Sequence, residues 1–222
     1  MPPVEFTALL ALATAMSFSP GPNTTLSTAL AANRGLRHAM RFVCAVPVGW
    51  SALLLLCAGG LGAAVVAVPA LRWAIKAVGI AYLVWLAWKL SQSGQLGEAD
   101  AARMDVGFWQ GAALQFVNIK AWLLSLTIVA GWIVGREDSL QRLAVVLPVM
   151  ALFALTSNFA YASVGALLRH WLAHGRRLLW FNRAMALVLV VTAAWMVRAC
   201  RRPAPIQPTA LRPADWPWAC SA

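Results

Sequence analysis

Three long stretches of this chain contain no charged side chain: Phe6 to Asn33, Phe42 to Leu71, and Leu143 to Leu168. Each is longer than the roughly 20 apolar residues that cross about 30 Å of hydrocarbon at 1.5 Å per helical residue. In lipid, only helices and closed barrels satisfy their own backbone groups. The apolar runs here are continuous and do not alternate, which selects helices. Composition agrees. With 61% hydrophobic and 11% charged residues, the chain could not cover a water-facing surface, because a soluble domain carries about 25% charged residues.

The pattern predicts an all-α polytopic membrane protein with six spans, near 6–32, 42–67, 70–91, 107–134, 143–168 and 178–199. A polar connection from Ser91 to Val106 separates two halves of three spans, 1–92 and 107–199. With an odd number of spans in each, related halves would lie in opposite orientations, as an inverted repeat. Residues 200–222 hold Pro203, Pro205, Pro208, Pro213 and Pro217 with several Arg, and are expected to form a disordered tail outside the six-span domain.

The net charge of +11 does not indicate nucleic acid, because the Arg residues lie between spans. They fit the headgroups of a lipid bilayer. Arg34, Arg37, Arg41, Lys89, Arg103, Arg169, Arg176, Arg177 and Arg183 fall on one side, and Arg72, Lys76, Arg136 and Arg142 on the other. The positive-inside rule places the larger set in the cytoplasm and both termini outside. Trp73, Trp88, Trp109, Trp171 and Trp180, near span ends, fit interfacial belts. Cys44 and Cys57 read as small core residues, and Cys200 and Cys220 flank the tail, where an oxidising compartment would allow them to pair, although nothing in the sequence fixes that pairing. Gly107-x-x-x-Gly111 and Gly131-x-x-x-Gly135 allow close helix approach, within one chain in the preferred reading and across a homodimer in the other.

Two spans are interrupted. In the first, Ser19-Pro20-Gly21-Pro22-Asn23-Thr24 removes two N–H donors, so a helix must end near Phe18. Gly21 supplies conformational freedom, and Asn23 or Thr24 can cap a new half-helix running to Asn33. In the fourth, Gln115-Phe-Val-Asn118-Ile119-Lys120 places a lysine at mid-span, which costs about 2.5–3.5 kcal/mol unless it meets a cavity or a partner. Such paired interruptions point to a transporter's binding site.

Pro20-Gly21-Pro22-Asn23, the basic turn Asn33-Arg34-Gly35-Leu36-Arg37, Gly79-Ile80-Ala81-Tyr82-Leu83 with Trp88-Lys89, and Asn118-x-Lys120-Ala121 together resemble the LysE/RhtB lysine-exporter and threonine-efflux family. The match runs from about Phe6 to Arg198. The resemblance implies a six-span bacterial inner-membrane exporter of amino acids or their derivatives, driven by the membrane's ion gradient. The family usually has Asn-Pro-Lys-Ala where this chain has Asn118-Ile119-Lys120-Ala121, which predicts a shallower break in the fourth span.

All seven acids lie at span ends, in loops or in the tail. A cationic substrate would lack a carboxylate partner in the pore, so a neutral amino acid is favoured, with the π faces of Trp122 and Tyr161 as the substitute partners for a cation. The candidate substrate-binding residues are Asn23, Thr24, Gln115, Asn118, Lys120 and Asn158, with Pro20, Gly21 and Pro22 forming the helix break. The half-helix N-terminus and Lys120 would hold a carboxylate, and a coupling proton, where one is used, falls to Lys120. No catalytic residue, metal site or cofactor is expected, and the chain does not read as an enzyme. The alternatives are a heavy-metal cation exporter of the same wider family and a non-transport membrane protein. A soft cation would need clustered Cys or His, and a hard one clustered carboxylates.

Overall fold

A computed structural model describes residues 1–92, 106–174 and 176–198, with side chains described to Ala194. Most of the Ser91–Val106 connection, the tail 200–222 and the Cys200–Cys220 pairing lie outside the described residues. Among those described, every regular element is helical: α1 (Pro3–Phe18), α2 (Pro22–Arg34), α3 (Leu36–Leu56), α4 (Gly62–Ala67), α5 (Pro69–Ser91), α6 (Phe108–Val117), α7 (Ile119–Ile128), α8 (Ser139–Leu172) and α9 (Arg177–Arg198). Wide π-type turns, Cys57–Leu61 and Val129–Ile133, join α3 to α4 and extend α7. Four of the resulting helices are long and apolar enough to span a bilayer, and two bent pairs, α1 with α2 and α6 with α7, make up to six where each pair is counted as one span. Counted so, they fall on the six spans expected from the sequence. Pro47 and Pro148 lie inside helices that continue through them.

The centre of the bundle is α2. Every residue from Thr24 to Asn33 is buried, although this is one of the more polar helices, with Thr24, Thr25, Ser27, Thr28 and Asn33 among them. A helix polar on one side and buried all round must satisfy its polar groups inside the protein. Ser27 donates to Asn158 on α8 (2.9 Å). Asn33 and Asn182 of α9 exchange amide hydrogen bonds of 2.8 and 3.0 Å. The segment 20–33 is therefore a core half-helix, not a surface strip.

Helices in lipid associate through packing, and small residues let their backbones approach. Three glycines do so here. A Cβ on Gly165 of α8 would overlap the Thr28 carbonyl of α2, one on Gly49 of α3 the Ala112 carbonyl of α6, and one on Gly79 of α5 the Val117 carbonyl at the end of α6. Gly111 packs under Phe42 and Ala45 of α3, so the first small-residue motif serves packing within the chain. Nothing lies within 4 Å of a Cβ on Gly107, Gly131 or Gly135. The five expected belt tryptophans are all more than half exposed, and Lys76, Arg177 and Arg183 lie over Trp73, Trp171 and Trp180 at 4.7–5.5 Å. Cys57 is buried as expected, whereas Cys44 faces outward on α3.

The two ends of the bundle carry different charge. At one, the Gly35 turn meets the Arg169 guanidinium. At the other, Glu5 is gripped by Arg142 (2.5 Å) and Arg136 (3.4 Å), and Arg142 also reaches Asp138 (2.6 Å). The Trp132 indole donates to the Glu5 carbonyl (3.0 Å). This cluster fastens the start of α1 to the start of α8. The hydrogen bond from Arg142, assisted by its charge, holds the Asp138 carboxyl below the usual carboxylate range. A lowered folded-state pKa contributes stability above the unfolded value, and that stability is lost as pH falls through the folded one. The melting-temperature margin of wild type over Asp138→Asn should therefore persist between about pH 7 and 5 and vanish only in stronger acid. A margin already lost at neutral pH would contradict it.

Candidate functional site

The first span breaks because two donors are missing. In a continuous helix, Pro20 and Pro22 would donate to the carbonyls of Met16 and Phe18, and neither has an N–H. Side chains replace them. Ser19 Oγ donates to the Met16 carbonyl (3.1 Å) and the Tyr161 hydroxyl to that of Phe18 (2.9 Å). The Ser19 carbonyl, stranded beyond the end of α1, accepts from Lys120 Nζ at 2.8 Å, and the same ammonium donates to Ser19 Oγ at 2.8 Å. After an extended Ser19 and Gly21, the chain re-enters helix 49° off its first direction.

Of the two candidate caps of α2, Thr24 is the one that serves. Thr24 Oγ1 reaches back to accept from the Gly21 N–H (2.9 Å) and donate to the Gly21 carbonyl (3.0 Å), while the Asn23 side chain points elsewhere. Gly21 has φ −173° and ψ −177°, an extended conformation open to any residue, so its conformational freedom is not what the site uses. It is small because Lys120 packs there: a Cβ would sit 3.3 Å from Lys120 Cδ and 3.4 Å from Nζ.

The fourth span breaks more sharply than the first, by 68°, against the expectation drawn from Ile119. Asn118 is the reason. It is extended (φ −84°, ψ 102°), and its side chain accepts from the Lys120 N–H (3.1 Å) as the N-cap of α7. Ile119 is then the first helical residue, where proline is favoured because no partner for its N–H is needed, but is not required. The Trp122 indole donates to the orphaned Phe116 carbonyl (2.7 Å). Tyr161 and Trp122 thus direct their polar groups to broken helix ends, and neither ring is among the residues that line the cavity beside the breaks.

Amide side chains tie the breaks together. Asn23 and Gln115 exchange hydrogen bonds of 2.9 and 3.2 Å, and Asn118 Nδ2 approaches Asn23 Oδ1 at 3.4 Å. Gln115 is fully buried and also donates to the Gly111 carbonyl (3.1 Å). It braces Asn23 from behind rather than lining open space.

Beside the breaks lies a cavity of about 60 Å3. Asn23, Thr24, Asn118, Lys120 and Asn158 line it, so five of the six expected binding residues converge there, together with Gly21 and Pro22. Met16 and Ser17 of α1, Val46 and Trp50 of α3, Ala121 and Leu124 of α7, and Met150, Ala154 and Ser157 of α8 complete its walls. Along α8 the lining runs from Asn158 to Met150, about 12 Å at helical rise. Its Asn158 end is polar and its Met150 end apolar. Val46, Trp50, Leu124 and Met150 gave no polar signal in the sequence and were not anticipated.

Among the described residues, no acidic side chain lines the cavity. Its charges are those of Lys120 and of the helix ends. The first turn of α2 presents the N–H groups of Asn23 and Thr24 without intrahelical acceptors, a partial positive pole, while the last turn of α1 presents carbonyls, a partial negative one. Lys120 has three donors, and two of them bind Ser19. The arrangement can receive the carboxylate of a small zwitterion, toward the N–H groups of α2 and the third donor of Lys120.

The sequence pattern of the LysE type translocator family matches residues 14–199. The cysteine/O-acetylserine efflux protein of Salmonella typhimurium is 32% identical over 194 residues, covering 87% of this chain and 97% of its own length. The proteins of the same name from Shigella flexneri and Escherichia coli K12 are 31% identical over 194 residues, with the same coverage. No solved structure matches the chain.

Proposed function

Because this chain belongs to the LysE type translocator family, we propose that it exports small neutral amino acids and their derivatives across the bacterial inner membrane. The observation that carries this reading is the pairing of a half-helix N-terminus with Lys120 at one cavity that no acid lines among the described residues. A substrate carboxylate is bound by the N–H groups of Asn23 and Thr24 and by Lys120. Asn118 and Asn158 face the remaining polar groups, and Gln115 fixes Asn23. A lysine or arginine side chain would enter a space with no anion to receive it, at the cost of an unpaired charge. Small size and neutrality agree with relatives named for cysteine and O-acetylserine efflux.

In this reading both termini lie outside. The Arg34–Arg169 end is cytoplasmic, and the Glu5–Arg142 cluster closes the outer end. The two halves of three spans move against each other about the breaks. Lys120, the one titratable side chain on the cavity wall, carries the coupling proton if the gradient used is that of protons.

The test is export from a strain deleted for its own amino-acid exporters, fed dipeptides to raise each cytoplasmic amino acid. Cysteine, serine and other small neutral amino acids should accumulate outside well ahead of lysine and arginine. Equal export of the basic amino acids would refute the neutral preference. Export of none would refute the whole reading.

A further inference from the structure

Trp50 sits in α3 one turn beyond Val46, and both border the cavity. Its side chain is 4% exposed, and its indole nitrogen, itself shut off from solvent, donates to no acceptor among the described residues. Burying a donor without a partner is costly, and native proteins rarely leave one so. Other indoles behave ordinarily: Trp122, buried at the second break, donates to Phe116, and the half-buried Trp132 donates to Glu5 at the end of the bundle. Trp50 is the exception, and it is the one that borders the cavity.

Its position gives the orphan donor a meaning. Trp50 belongs to the same apolar cluster as Met150, Ala121 and Leu124, all of which line the cavity with it. A zwitterion anchored at Asn23, Thr24 and Lys120 has this apolar wall to receive its side chain. We infer that the Trp50 indole N–H is a specificity determinant, donating to a carbonyl oxygen on the substrate's side chain, such as that of an ester. A side chain of equal length that lacks this carbonyl leaves the donor without its strong acceptor. It is bound less well for that reason, not for want of room. Sites built to pair a substrate's polar group discriminate against analogues that lack it.

This inference rests on the export reading above, and the test separates the two. The full-length protein, reconstituted in phosphatidylethanolamine–phosphatidylglycerol vesicles, is assayed with O-acetylserine and with O-ethylserine, in which a methylene replaces the ester carbonyl. Wild type should bind and transport O-acetylserine about tenfold better. Trp50→Phe should erase that ratio by weakening O-acetylserine, leaving O-ethylserine within about twofold of wild type. Equal loss of both ligands would reduce Trp50 to a packing residue and overturn the inference. Parity between the ligands in wild type would overturn it without any variant, even if Trp50→Phe failed to accumulate. Transport of serine or cysteine alongside such parity would leave the export reading standing. No transport of any amino acid would remove both.

Discussion

Lys120→Met should cut export sharply while leaving a folded protein in the membrane. Among the described residues, the ammonium is the only full charge on the cavity wall, and a hydrogen bond from a charged donor contributes about 1.5–3 kcal/mol. Losing it against a carboxylate out of water should lower export by about 10- to 150-fold. The fold should survive because the losses and gains nearly offset. Methionine leaves the Ser19 carbonyl without its 2.8 Å donor, but it also removes a mid-span charge that costs about 2.5–3.5 kcal/mol by insertion scales. Methionine has similar length and flexibility, so it can fill the space beside Gly21. The measurement is initial export rate per amount of membrane-inserted protein. Export within a factor of about two of wild type would remove Lys120 from the site.

Ser19 explains why this lysine is tolerated before any substrate arrives. A lone mid-span ammonium reads from the sequence as an unpaid cost, and the search for its partner among the acids finds none. The partner is backbone: the carbonyl released where proline ended α1. Sequence supplies both facts, a break in the first span and a cation in the fourth, but their meeting depends on how the two spans pack. The same divide runs through the whole molecule. Spans could be read because hydrocarbon thickness imposes a length on apolar runs, and the breaks because proline and a polar amide have local consequences that no packing alters. Gly21 shows the limit of local reasoning. Its backbone is ordinary, and its smallness answers to a side chain 99 positions away in the sequence.

Trp50, Gly49 and Asn182 could not be read at all, and Gly79 was legible only as part of a motif, not as a packing contact. An apolar stretch permits tryptophan and glycine at many positions, and only the register between helices decides which glycine meets a carbonyl and which indole borders a cavity. Ile119 taught the reverse lesson, since the missing proline suggested a shallow break. Proline at the first helical position merely suits an N–H that has no acceptor anyway. The bend is set by Asn118, whose side chain caps α7 with or without it.

The second large effect is structural. Gly165→Leu should prevent the protein from folding as a stable bundle. In water a buried interface is held by the hydrophobic effect, but in lipid the alternative to helix–helix contact is equally apolar, so association depends on close packing and hydrogen bonds. The α2–α8 interface depends on both. Gly165 lets the α8 backbone lie against the Thr28 carbonyl, and the Ser27–Asn158 hydrogen bond spans the same face. A Cβ alone already overlaps backbone that cannot rotate away, unlike a side chain. Leucine would force the helices apart, separate Ser27 from Asn158 in a dry interior, and displace the buried α2 that carries Asn23 and Thr24. Overpacking of this kind costs about 1–3 kcal/mol and occasionally more, and stranding the hydroxyl adds about 1–3 kcal/mol. Size-exclusion of solubilised protein should show loss of the monodisperse peak for Gly165→Leu and a lower melting temperature for Gly165→Ala. Gly131→Leu, where nothing lies within 4 Å of the added carbon, should behave as wild type if that glycine faces lipid. Its failure would instead mark Gly131 as the contact of a homodimer. A Gly165→Leu protein that elutes and melts like wild type would mean that α2 is not held where its buried polar residues require it to be.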